Sequence, residues 1–112
     1  MAKKTKAQLL AFFKTEKGLH KIDTIRNGLI SGSIITFPQV FATIAKGNIQ
    51  TLLGNEFYAF ENKINDPGRF TYNEVEFLAA FFQIDFDVMH KFIRQNMIAL
   101  KKTNKRKPSS KK

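Results

Sequence analysis

The stretch Lys46 to Phe70, KGNIQTLLGNEFYAFENKINDPGRF, decides how the whole chain is read. An apolar Leu52-Leu53 pair ends at Gly54, with Phe60 six residues on, Ile64 ten on and Pro67 thirteen on. A first short helix has to stop at a residue that accepts a left-handed backbone, and Gly54 does so without a Cβ penalty. A second helix over 56–64 then presses Phe57, Phe60 and Ile64 into the same core. The spacing predicts two helices locked at a wide angle, a helix-turn-helix.

Helical periodicity continues on both sides. Lys6 to Lys17 carries Leu9, Leu10, Phe12 and Phe13 and reads as closed by Gly18; Lys21 to Ser31 carries Ile22, Ile25 and Leu29 and reads as closed by Gly32. Thr36-Phe37-Pro38-Gln39 is a capping box ahead of the stripe Phe37, Val40, Phe41 and Ile44. A second box, Thr71-Tyr72-Asn73-Glu74, opens a helix with Val75, Leu78, Ala79 and Phe82. Asp85 is placed to cap a last helix with Phe86, Met89, Ile93 and Met97 on one face. No alternating strand pattern competes with these signals. The expected fold is all-α: five to seven helices containing a helix-turn-helix, followed by a disordered basic C-terminal tail. The expected organisation is a basic N-terminal helix (1–20), a helix-turn-helix-type domain (21–100) and a Lys-rich tail (101–112).

Composition allows one such core. With 112 residues, 43% of them hydrophobic and 12 of them phenylalanine, the chain buries a single core of ordinary size. Cysteine is absent, which removes disulfides, thiolate metal sites and thiol catalysis, and fits a cytoplasmic protein. The basic start is followed only by Ala7 to Phe13 before Lys14, too short an apolar run for a signal peptide. The net charge of +10 divides unevenly. Residues 1–26 hold seven Lys/Arg and two acids, residues 27–90 three and seven, and residues 91–112 nine and none. The middle is thus acidic and the ends basic. The run from Lys101 to Lys112 lacks apolar residues and is expected to be disordered, acting either as a solubilising tail or as an arm that binds phosphates by counterion release.

Taken in order, Ser31-Gly32-Ser33-Ile34, Phe37 to Ile44, Leu53-Gly54, Phe60, Asn65 to Thr71, Leu78-Ala79 and Ile84-Asp85 resemble the phage-repressor-like (Xre or Cro type) helix-turn-helix superfamily. They resemble more closely a group of small Bacteroidetes proteins built on it. The resemblance, which covers about Ile22 to Ile93, implies five helices around one core, Glu56 to Ile64 as the recognition helix, and transcriptional regulation as the usual role. Two positions depart from the pattern. Gln50 stands where such motifs usually have Ala, and Lys63 occupies a late apolar position of the second helix.

With Phe57, Phe60 and Ile64 turned inward, a helical wheel places Asn55, Tyr58, Asn62 and Asn65 on the opposite side. Asn pairs with N6 and N7 of adenine, and Tyr packs on a thymine methyl or donates to a phosphate, so these four are the base-contact candidates for duplex DNA. Asn55 and Asn65 also sit where helix ends commonly place Asn. Lys46, Lys63, Arg69, Lys101, Lys102, Lys105, Arg106 and Lys107 are the phosphate-contact candidates. Three acids, Glu56, Glu61 and Asp66, lie in or beside the recognition element and oppose a strong generic grip.

Catalysis finds no constellation. His20 and His90 are far apart, and no metal-binding, phosphate-loop or nucleophile motif occurs. Glu74, Glu76, Asp85 and Asp87 fall where helix caps and dipoles favour acids. His90, beside Met89 and Ile93, reads as a partly buried structural side chain. The chain is therefore expected not to be an enzyme and to need no cofactor, metal or small-molecule ligand. The apolar face of Lys3 to Lys17 suits an anionic membrane or a protein partner, but in so short a chain it is expected to cap the core, with Val88 and Phe92 meeting it, or to join a homodimer. The alternative to a DNA-binding regulator is a helical protein-interaction module whose tail binds nucleic acid nonspecifically.

Overall fold

A computed structural model describes residues 4–106, with side chains placed through Ala99. It is all-α. The described residues form α1 (Lys6–Phe12), α2 (Glu16–Ser31), α3 (Phe37–Phe41), α4 (Lys46–Leu53), α5 (Phe57–Asn65), a 3₁₀ turn (Pro67–Arg69), α6 (Tyr72–Phe81) and α7 (Phe86–Arg106). No described helix is long and apolar enough to cross a membrane.

The N-terminal helices divide earlier than the spacing predicts. Gly18 does not end a helix. The chain breaks earlier, at Lys14-Thr15, where the Thr15 hydroxyl accepts the Gly18 N–H at 3.2 Å and caps α2, with Glu16 in its first turn. Gly18 lies inside α2 because the end of α1 crosses it: a Cβ there would stand 2.3 Å from the Phe12 carbonyl oxygen. The boundary expected between residues 20 and 21 consequently falls within a continuous helix, α2. Leu9 and Phe13 are buried in the common core, so the N-terminal apolar face caps that core rather than standing free.

The turn glycines at the ends of α2 and α4 fall as expected. Gly32 and Gly54 end α2 and α4 with φ of 88° and 72°. The Gln39 carboxamide accepts the Thr36 and Ile35 N–H groups at 3.0 and 2.7 Å, holding the start of α3. Thr71 and Glu74 form a reciprocal box at α6, with bonds of 3.1 and 2.9 Å.

The core is a chain of aromatic rings. Phe37 lies 5.0 Å from Phe92 and 5.5 Å from Phe70, while Phe60, wholly buried, approaches Phe41 and Phe70 at 6.3 and 6.4 Å. These contacts tie α3, α5 and α7 together, each pair adding about 0.5–1.5 kcal/mol beyond its buried area. Phe92 is therefore a core residue, set against the Phe37 ring of α3. One turn further along α7, buried Asn96 accepts the Phe37 N–H at 3.2 Å and donates to the Ile35 and Phe92 carbonyls at 3.1 and 2.8 Å. This side chain satisfies the free N-terminus of α3 from within the core. The backbone of 101–106 continues α7. The remainder of the tail, including Lys107, lies outside the described residues.

Candidate nucleic-acid interface

The exposed surface of α5 is where the candidate reading residues meet. Gly54 turns the chain out of α4, and the Gln50 side chain holds the turn by donating to the Asn55 carbonyl at 3.3 Å. The departure at Gln50 thus closes the connector. Phe60 and Ile64 then fix α5 against the core, the first buried and the second partly buried. Tyr58, Asn62 and Asn65 face solvent as the wheel predicts, and Ala59, which the wheel does not single out, lies among them.

Phe57 does not turn inward. It is 54% exposed, Tyr58 is 76% exposed, and the two rings meet edge to face at 5.1 Å. The apolar periodicity places Phe57 in the core, but it opens α5 in a turn that, among the described residues, no ring of α3 or α7 covers, and its ring pairs with Tyr58 instead. The exposed surface of α5 therefore begins with two aromatics beside the exposed Glu56 carboxylate and continues with Ala59, Asn62 and Asn65, with Glu61, paired with Lys46, at its edge.

Asn55 is not part of that stripe. It is half-buried, donating to Glu74 Oε2 at 2.9 Å and accepting from Lys63 Nζ at 3.0 Å. Lys63 also bonds Glu74 Oε2 at 2.6 Å, the two side chains being 17% and 13% exposed. The apolar position that Lys63 occupies is thus filled by a shielded ion pair binding α5 and its connector to α6. Burial pushes the Glu74 carboxyl up, but the Lys63 ammonium, the Thr71 N–H and the Asn55 amide together outweigh it and hold the group below its ordinary value of 4.5. A depressed carboxyl contributes stability that is complete above its unfolded-state pKa and is lost as pH falls through the folded one. Glu74→Gln is expected to be less stable than the parent by about 1–2 kcal/mol at neutral pH, because Lys63 loses its counter-charge. In urea unfolding the difference should shrink as pH falls below 4.5; a pH-independent difference would show that the charge is irrelevant.

The other cations beside α5 are engaged as well. Lys46 pairs with Glu61, and Arg69 lies 3.3 Å from Asp66 on the surface. Lys46, Lys63 and Arg69 are thus each matched by a carboxylate, and of the three Arg69 is the most open to solvent. The backbone of α7 also passes this region. Asn65 lines a groove with Asn96 and Ala99 of α7, so α7 passes the C-terminal end of α5 just before it carries Lys101, Lys102, Lys105 and Arg106. At 1.5 Å per residue their backbone lies roughly 3 to 11 Å beyond Ala99 along the axis. After Asp87 the sequence of α7 and beyond contains no acid.

His90 is exposed and stacks on Phe86 at 6.0 Å, a correction to its expected partial burial. It faces outward because the buried stripe of α7 runs through Met89, Phe92, Ile93 and Asn96. Among the described residues no group of three or more His, Cys, Asp or Glu side chains converges. In comparisons with known proteins, no protein-family model, no curated protein and no solved structure matches the chain.

Proposed function

We propose that the chain is a small cytoplasmic DNA-binding regulator of the phage-repressor-like type, in which α4 and α5 act as a helix-turn-helix and α5 reads the major groove of duplex DNA. The observation that carries this reading is the uncharged, solvent-facing stripe of Tyr58, Asn62 and Asn65 on a helix fixed from behind by Phe60. Amides at that spacing reach the N6 and N7 edge of adenine, and position on the duplex comes from phosphate contacts made elsewhere. The basic continuation of α7 supplies those contacts.

The double substitution Tyr58→Ala and Asn62→Ala removes two exposed side chains and should leave the fold intact. It is expected to cut discrimination between a preferred and a scrambled duplex by about tenfold or more while leaving the salt slope of binding nearly unchanged. Fluorescence anisotropy across a salt series measures both quantities. Unchanged discrimination would reject α5 as the reading element.

One observation favours the second reading, a helical interaction module. The cations flanking α5, Lys46, Lys63 and Arg69, are each paired with a carboxylate, so the folded middle has little attraction for phosphate. A module of that kind would show no preferred duplex at all.

A further inference from the structure

Phe57 holds a position that the apolar periodicity assigns to the core, yet it stands in solvent at the start of α5 together with exposed Tyr58 and Ala59. Two exposed rings and a methyl group on one end of a helix are a concentration of apolar surface aimed outward. Further along the helix come the amides of Asn62 and Asn65, with Glu61 beside them held by Lys46. The commonest specific reader of guanine is an Arg or Lys in bidentate contact with O6 and N7. Of the basic side chains near α5, Lys63 pairs with Glu74 and Lys46 with Glu61, and Arg69 lies past the C-terminal end of the helix beside Asp66.

Resting on the duplex reading above, we propose that this face recognises A·T base pairs through their major-groove edge, and in particular the C5 methyl groups of thymine. Phe57, Tyr58 and Ala59 receive the methyl groups at the N-terminal end of the helix, where a recognition helix meets base edges most directly. Asn62 and Asn65 take adenine N6 and N7 one and two turns later. The occupant is set by charge as well as by shape. The ends of the chain carry all of its excess of positive charge and draw in a polyanion, while the outward side of α5 offers apolar and amide groups beside carboxylates, which favour methyl and amino edges over the charge-assisted reading of guanine.

The test compares one duplex in two chemical forms. The full-length chain is used to select binders from a random duplex pool at about 0.15 M salt, and the selected duplex is then synthesised with deoxyuridine in place of thymidine, which removes the methyl groups and keeps every Watson–Crick pair. The expected selected site is rich in A·T pairs. Deoxyuridine should weaken binding roughly fourfold for each methyl that the face buries. Phe57→Ala, a change at an exposed position, should shrink that loss, with thermal melting confirming that the variant remains folded.

Equal affinity for the two forms, with scrambled duplex still rejected, would overturn the thymine assignment and leave duplex reading in place. A selected site dominated by G·C pairs would overturn it too. A deoxyuridine effect of the same size in the parent, Phe57→Ala and Tyr58→Ala chains would place the methyl contacts elsewhere and likewise overturn it. If the pool yields no preferred sequence, the duplex reading itself fails and this assignment fails with it.

Discussion

Truncation after Leu100 is expected to weaken duplex binding by roughly 10²- to 10³-fold at about 0.1 M salt and to reduce the slope of log affinity against log salt by up to about six. The segment removed contains Lys101, Lys102, Lys105, Arg106, Lys107, Lys111 and Lys112 and no acid. Each phosphate that such a side chain neutralises releases close to one counterion, so the loss appears mainly as salt dependence. The fold should be little affected, since among the described residues the last side chain packed on the core is Met97. Anisotropy titrations of both chains between about 50 and 200 mM salt measure the effect, with circular dichroism as the control for folding. An unchanged slope would mean that the basic C-terminus makes no phosphate contact.

The largest effect on stability is expected at Gly18. A Cβ there would come within 2.3 Å of the Phe12 carbonyl oxygen and 2.5 Å of the Phe13 Cα, both backbone atoms that cannot rotate away. Gly18→Val must therefore push α1 off α2 and draw Leu9 and Phe13 out of the core. A cost of about 3 kcal/mol or more is expected, combining overpacking with lost apolar burial. That corresponds to a fall in melting temperature of roughly 12 °C or more for a domain of this size. Gly47 supplies the contrast within the same chain. It is exposed in α4, and a Cβ added there would meet nothing within 4 Å, so Gly47→Ala should gain about 0.5–1 kcal/mol. Urea unfolding of the two variants separates steric exclusion at Gly18 from mere helix propensity; equal and small effects would contradict the packing of α1 on α2.

What the sequence discloses about this chain is mostly local. The turn glycines at 32 and 54, the boxes at Thr36 and Thr71 and the inward stripes from Ile22 to Ile93 follow from residues within a few positions of one another. Gly18 defeats the same reasoning because glycine also serves where a second backbone passes close by, which spacing along one segment does not reveal. The signal that marks the true break is present in Thr15-Glu16, a cap followed by a first-turn acid.

The candidate site is legible in its middle and not at its edges. Tyr58, Asn62 and Asn65 are exposed because Phe60 and Ile64 fix the rotation of α5, and that rotation is set by periodicity alone. Asn55 and Lys63 escape a local reading because their partner, Glu74, lies 19 and 11 residues away and reaches them only through the docking of α6. Phe57 escapes it because a periodic pattern does not say where the neighbouring helices stop. Asn96 gives no sign at all, since its role is to satisfy a helix start 59 residues earlier in the chain.

Whether α5 touches the duplex is read from an amide chemical-shift titration of the isotope-labelled full-length chain with its selected duplex at about 0.15 M salt. Shifts are expected in Phe57, Tyr58, Ala59 and Asn62 that saturate together with those of the basic end of α7. Shifts confined to the end of α7, with α5 unmoved, would contradict contact through α5.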